Sequence, residues 1–292
     1  MKTKKPKKFK HLAGKPETPA AKAILDTLRY KAIFSYPVSF YELWHFLIHK
    51  EKVEIGAFRS QLEHLVKTNR VQCANGLYFL PKATAENVEK KKMLAKRHIE
   101  TASSVTAYLK RIPWVEMVAV TGSVAASNAD SASDIDLLIV TESKRLWLSR
   151  LFVVLVLKAL GIYWNDQKPA GTVCPNIFMS SGILNWEKKN VYIANEIALL
   201  YPLFSRNETY FRFMEENSWV KDYLANCYQF GQALTHKRTA KTTVSKLVDL
   251  LESVCMKAQK IHMQNKVTTE VIRPNLAHFN KKDSMFATLS KY

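Results

Sequence analysis

The 292-residue sequence predicts an α+β protein in which a small mixed sheet lies between two helix-rich regions of the chain. Short β-branched apolar runs at residues 118–120 and 137–140 predict buried strands. Apolar residues at helical spacing fill residues 20–69 and recur from Asn190 onward. With 47% hydrophobic residues the chain can build the cores of about two or three domains, which excludes a disordered protein.

The N-terminal region reads as three helices followed by a hairpin. Helical spacing covers residues 20–34, 40–48 and 55–69, and Ser39 is placed to cap the second helix. Asn75-Gly76 then joins two short apolar runs, a strong hairpin signal. Three helices and a hairpin in this order resemble a winged helix-turn-helix.

A winged helix would use its third helix to contact DNA or RNA. The side chains that this helix would present are Arg59, Gln61, His64 and Lys67. Winged helices also serve as protein-contact modules, and the sequence leaves both roles open.

The net charge of +19 points to polyanionic partners. Seven lysines and no acidic residue fall within residues 1–16, which we interpret as a basic flexible arm over residues 1–19. RNA or DNA is the expected partner, an anionic membrane surface is a less frequent one, and simple solubility is the alternative. No signal peptide is expected, because no uninterrupted apolar segment follows the basic start.

The cysteines and the most apolar segment limit the class further. The four cysteines are scattered without a C-x-x-C pair, which argues against a zinc ribbon or a disulfide framework and favours a cytoplasmic protein. Residues 146–162 are the most hydrophobic stretch, but Arg150 and Lys158 interrupt it. We therefore expect a buried helix there and no membrane span.

Candidate chemistry is concentrated between residues 118 and 140. The first predicted strand ends at Thr121-Gly122-Ser123, and Asp134-Ile135-Asp136 opens the second strand eleven residues after the serine. Residues i and i+2 of a strand share a face, so Asp134 and Asp136 should project together. Such a carboxylate pair favours a bound Mg²⁺ or Mn²⁺, while Gly122 and Ser123 can hold a phosphate.

The Gly-Ser and Asp-hydrophobic-Asp elements, with their flanking strands, resemble the signature of the DNA polymerase β-like nucleotidyltransferase superfamily. The resemblance covers residues 111–180. It implies that Asp134 and Asp136 bind two Mg²⁺ ions and that Gly122 and Ser123 hold the triphosphate of a nucleoside triphosphate. The implied reaction is attack of an acceptor hydroxyl on the α-phosphorus with release of pyrophosphate.

The sequence departs from that family at the third acid. The next strand-like run, residues 172–179, contains no carboxylate, and Asn176 is its best-placed polar residue. An amide can bind a metal but cannot act as a base near neutral pH. Asp166 and Glu196 are the nearest acids, and a solvated or capping role is expected for Glu196.

Two basic residues follow the second predicted strand, and the pattern of segments predicts four regions of the chain. Lys144 and Arg145 could reach the triphosphate or lie at a helix start. The expected domains are the arm (1–19), the winged helix (20–82), a nucleotidyltransferase domain with its leading helix (83–185) and a helical C-terminal region (186–292). Within the last region, helices are predicted at 190–204, 207–234 and 243–265.

The leading functional hypothesis is a metal-dependent nucleotidyltransferase whose acceptor is a hydroxyl on RNA, protein or a small molecule. The alternative is a catalytically inactive nucleotidyltransferase fold that regulates by binding nucleic acid through its winged helix. An antitoxin-linked or antibiotic-modifying transferase is also compatible with the resemblance. The sequence selects neither the nucleotide nor the oligomeric state.

Overall fold

The computed structural model describes residues 17–81, 87–165, 170–227, 246–263, 271–279 and 284–292. Within these residues the chain forms a three-stranded sheet near its N-terminus and a six-stranded central sheet. Most of the predicted arm, residues 1–16, lies outside the described residues.

The N-terminal part contains the predicted helices and hairpin. Its elements are α1 (Pro19–Ile33), β1 (Val38–Ser39), α2 (Phe40–His45), α3 (Ile55–Lys67), β2 (Gln72–Ala74) and β3 (Leu77–Phe79). The strands pair antiparallel in the order β1-β3-β2, and Asn75-Gly76 forms the turn with positive φ at both residues. Ser39 caps α2 through a reciprocal capping box with Glu42, as its sequence position predicted.

The central sheet has the strand order β7-β4-β5-β6-β9-β8. Its strands are β4 (Val115–Val120), β5 (Ile135–Thr141), β6 (Val173–Ser180), β7 (Tyr201–Ser205), β8 (Val271–Ile272) and β9 (Leu276–His278). β5 and β6 run parallel, and the remaining pairs are antiparallel. The sheet is therefore mixed, as predicted.

Helices cover both faces of this sheet. They are α4 (Val88–Leu109), α5 (Gly122–Ala125), α6 (Leu146–Ala159), α7 (Val191–Leu199), α8 (Thr209–Glu216), α9 (Lys246–Met263) and α10 (Ser284–Leu289). Ile135 and Leu137 of β5 belong to the apolar core beneath α4 and α6, whereas Leu138 and Val140 belong to the core beneath α7 and α8. This alternation directs Asp136 to the face covered by α7.

The prediction of a helical C-terminal region is wrong in part, because β7, β8 and β9 join the central sheet. The predicted helix 190–204 ends at Leu199, and β7 follows. Pro202 explains the change, since proline disfavours a helix interior and the residue before it, and is tolerated in an edge strand such as β7. The predicted helix 207–234 is α8 and a 3₁₀ helix (Ser218–Asp222) over its described part, and residues 228–245 lie outside the described residues.

The apolar segment 146–162 forms α6, whose inner side is buried beside α4 and against the sheet. The two oxygens of Glu252 on α9 accept hydrogen bonds from the N–H groups of Trp147 and Leu148 at 2.8 Å each, so α9 closes the start of α6. None of the helices in the described ranges is both long enough and apolar enough to cross a membrane.

The N-terminal part docks onto the segment that follows the 3₁₀ helix. The side chain of Asn226, which is buried, accepts from Val53 N–H at 2.9 Å and donates to the carbonyl of Trp44 at 2.9 Å. His49 N–H donates to the carbonyl of Tyr223 at 2.8 Å. Because Asn226 satisfies backbone groups of the N-terminal part, the contact specifies one orientation of the two parts.

Candidate active site

Gly122 lies where the chain leaves β4 and passes beside Asp136. Its φ of 65° is in the left-handed region, and a Cβ at this position would lie 3.0 Å from Asp136 Oδ2. Both the backbone conformation and the lack of space require glycine here. The Gly-Ser motif and the Asp-x-Asp motif are thus brought into contact.

The two aspartates project together, as their spacing predicted. Asp134 immediately precedes β5, Asp136 is its second residue, and Ile135 between them is fully buried. A ligand oxygen of each aspartate and the Sγ atom of Cys174 all lie within 4.8 Å of one another. Cys174 is the residue of β6 that pairs with Asp136 across the parallel ladder.

A bulge in β6 places Asn176 beside the same carboxylate. The register shifts between the pairs Asp136–Cys174 and Leu138–Ile177, so β6 has one extra residue there. Pro175 occupies this bulge, which is a site where a strand tolerates the loss of an N–H group. Asn176 Nδ2 donates to Asp136 Oδ1 at 3.2 Å. On this strand an amide, not a carboxylate, therefore lies beside Asp136 and orients it.

Burial raises the pKa values of both aspartates. Desolvation, followed by repulsion from Asp134 and Glu196, raises the pKa of Asp136 to about 7. Desolvation also raises the pKa of Asp134, partly offset by a backbone hydrogen bond and by the charge of the buried His98 on α4. The electrostatic strain of this pair is what a divalent cation would relieve.

Glu196 is the acidic residue whose position the sequence interpretation missed. It lies on α7 and belongs with Gly122 to the residues that line one cavity. Burial raises its pKa to about 7. In the described part of the chain, the group of three candidate metal donors consists of Asp134, Asp136 and Cys174 and does not include Glu196. Asp166, the other acid considered, lies outside the described residues.

Asp136, Asn176 and Glu196 line a central cavity of about 320 Å³. Its polar wall includes Gly122, Ser123, Asp136, Asn176 and Glu196. The other walls are largely aromatic, and the N-terminal part supplies much of them; the residues concerned are Tyr30, Lys31, Phe34, Tyr36, Trp186 and Tyr192. The size and lining are those of a small-molecule site.

Lys144 and Arg145 do not reach this cavity. They follow the far end of β5, and Thr141 is already about 16 Å beyond Asp136 at the usual rise of a strand. Arg145 is buried and pairs with Asp249 of α9 at 2.6 Å. Of the two alternatives, the helix-start position is the one observed.

The four α3 residues predicted to contact nucleic acid also lie outside the residues that line the cavity. Arg59, His64 and Lys67 are exposed, and the Arg59 guanidinium lies 4.9 Å from the centre of the Phe40 ring. Gln61 is partly buried and accepts a hydrogen bond from the Thr18 hydroxyl at 2.8 Å. Nucleic-acid binding by this face remains a prediction.

Residues 104–224 match the family model for a nucleotidyltransferase domain. The match spans less than half of the chain and includes the Gly-Ser motif, the aspartate pair, β6, α7 and β7. Neither the curated proteins nor the solved structures gave a significant match. Over these residues the chain is therefore similar to nucleotidyltransferase domains, which supports a transferase activity in general.

Proposed function

We propose that this protein transfers a nucleoside monophosphate from a nucleoside triphosphate to an acceptor hydroxyl and releases pyrophosphate. The observation that carries the proposal is the meeting of Gly122-Ser123 with the carboxylate of Asp136 at one cavity, with a carboxylate oxygen of Asp134 within 4.8 Å of one of Asp136. The nucleotidyltransferase family match over the same residues supports it.

The donor set fits a hard divalent cation. Asp134 and Asp136 would hold Mg²⁺ or Mn²⁺ through their oxygens, and Asn176 keeps Asp136 in position by its hydrogen bond. The thiol of Cys174 is the softest member of the set and favours Mg²⁺ and Mn²⁺ least. When bound, the cation supplies positive charge that offsets the charge of the phosphates during displacement.

The residues of the chain then perform binding and orientation. Gly122 allows the backbone to approach the triphosphate, and Ser123 offers a hydroxyl to it. The acceptor oxygen forms a bond to the α-phosphorus while the bond from that phosphorus to the bridging oxygen of the β-phosphate breaks. Pyrophosphate leaves with the electron pair, and the proton of the acceptor passes to the solvent, because the amide of Asn176 cannot take it.

An inactive regulator is the second candidate. The observation that favours it is that Asn176, an amide, lies beside Asp136 on a strand that carries no carboxylate between residues 172 and 179. The three helices and three-stranded sheet of residues 17–81 support the proposed winged helix that such a regulator would use.

The test is pyrophosphate release from each of the four ribonucleoside triphosphates, with Mg²⁺ or Mn²⁺, total RNA and cell extract as acceptor sources. We expect the wild type to release pyrophosphate and the folded double variant Asp134→Ala/Asp136→Ala to release none. Equal release by the wild type and the double variant would exclude the proposed site. Duplex binding that is steeply salt-dependent and unaffected by Asp134→Ala would favour the regulator.

A further inference from the structure

Lys31 of α1 brings a buried positive charge to the central cavity. Its side chain is 5% exposed and lines the cavity together with Gly122 and Asp136. Among the described residues of the lining, it carries the only lysine or arginine side chain. A triphosphate carries several negative charges, so this cation is the natural protein group to face them.

The surroundings of Lys31 keep it charged despite its burial. Its Nζ lies 3.4 Å from Asn195 Oδ1 and 5.0 Å from the centre of the Phe46 ring. Desolvation lowers its pKa to about 8, and the charges of Glu42, Cys227 and Glu196 oppose this effect. At neutral pH the ammonium form therefore predominates.

Glu196 lines the cavity together with Lys31 and Gly122. Burial raises the pKa of its carboxyl group, and the Gly122 N–H and the charge of Lys31 oppose that rise by favouring the ionised form. The cavity therefore already contains an anionic group that a backbone N–H and a lysine stabilise electrostatically. Negatively charged oxygens of a phosphate would make the same two interactions.

We propose that Lys31 and the Gly122 N–H form the phosphate-binding pair of the active site and that the Glu196 carboxylate competes with the phosphate for both groups. This inference rests on the proposed function, and it makes the N-terminal part a component of the active site. Phosphate binding transfers the favourable electrostatic interaction of both groups from Glu196 to the ligand. No covalent bond is made or broken in this exchange.

Opposite effects of two substitutions test the exchange. The probe is inorganic tripolyphosphate with Mg²⁺, titrated calorimetrically into the full chain, so that the unknown base preference does not matter. Lys31→Met should weaken binding about tenfold or more, since a hydrogen bond to a charged group is lost. Glu196→Gln should tighten binding about threefold or more, because the competing negative charge is removed while the side-chain shape is kept.

Lys22→Met is the matched control, since Lys22 is exposed on the same helix and lies outside the cavity lining. It should leave the affinity unchanged. Thermal unfolding of each variant shows that it is folded before it is titrated. If the two residues had only a structural role, both Lys31→Met and Glu196→Gln would change the affinity for tripolyphosphate in the same direction.

The inference is overturned if Lys31→Met binds as tightly as the wild type or if Glu196→Gln binds equally or more weakly. If the wild type binds neither tripolyphosphate nor any of the four nucleoside triphosphates, the proposed function itself fails. The two failures are therefore distinct.

Discussion

Gly122→Ala should displace the Asp136 carboxylate, because the added methyl group leaves it too little space. The new methyl group would lie 3.0 Å from Asp136 Oδ2, so this carboxylate must move by a few tenths of an ångström. Asp136 Oδ1 is held by Asn176 at 3.2 Å, and the movement strains that hydrogen bond. The positive φ adds a backbone cost of about 1–2 kcal/mol.

Gly76→Ala is the control that separates the backbone cost of a positive φ from the steric contact with Asp136. Gly76 also has a positive φ, of 74°, but a Cβ there would meet nothing within 4 Å. Both variants should lose stability through the backbone term, about 2–4 °C in melting temperature for each kcal/mol. Only Gly122→Ala should also lose the stabilisation by Mg²⁺ with nucleotide and about tenfold or more of its pyrophosphate release, because Asp136 is misplaced.

The assays are thermal unfolding with and without Mg²⁺ and nucleoside triphosphate, and pyrophosphate release under the same conditions. Gly122→Ala with nucleotide stabilisation and turnover within about twofold of Gly76→Ala would refute the reasoning. It would mean that the contact between Gly122 and Asp136 has no part in the site.

Three further predictions concern pH, metal preference and folding. Burial raises the pKa values of Asp136 and Glu196 to about 7, above their unfolded values, so the metal-free protein should lose stability as pH rises from about 4 to 7. Mg²⁺ should accordingly raise the melting temperature more at pH 8 than at pH 6, and an equal effect at both would contradict the assignment. In calorimetry, Cys174→Ser should weaken Cd²⁺ binding about tenfold and change Mg²⁺ affinity by no more than about twofold. Unchanged Cd²⁺ binding would show that the thiol lies outside the metal site. Glu252→Ala should lower the free energy of unfolding by about 1–3 kcal/mol in denaturant titrations, because two N–H groups at the start of α6 lose their acceptor. Its nucleotide affinity should not change. An unchanged unfolding midpoint would show that water replaces the Glu252 carboxylate as the acceptor.

Local signals predicted much of the fold. The Asn75-Gly76 hairpin, the Ser39 cap and the strands on either side of the Gly-Ser and Asp-x-Asp motifs depend on neighbouring residues, which the sequence displays directly. β7 was missed although Pro202 carried a usable signal against helix. Periodicity cannot distinguish a short apolar strand from a buried helix segment, so this proline should have decided the interpretation.

The site was predictable where its residues are close in sequence and not where they are distant. Gly122, Asp134 and Asp136 were found because the two strands that carry them are consecutive. Lys31 and Glu196 reach the cavity from α1 and α7, Cys174 approaches the aspartate pair from β6, and only the three-dimensional packing brings them to the site. For Glu196, an acid within the apolar helix α7 was the available signal, since a carboxylate among buried residues needs a partner.

The central claim is that the α-phosphoryl group and its nucleoside are transferred at the Asp134–Asp136 site. The most direct test compares two radiolabels in cell extract supplemented with Mg²⁺ and the purified protein, using nucleoside triphosphates labelled at the α- or the γ-phosphorus. The account predicts that the α-label enters an acceptor, that the γ-label appears in pyrophosphate, and that Asp136→Asn abolishes both. Acceptor labelling from the γ-position, or α-labelling that persists in Asp136→Asn, would contradict it.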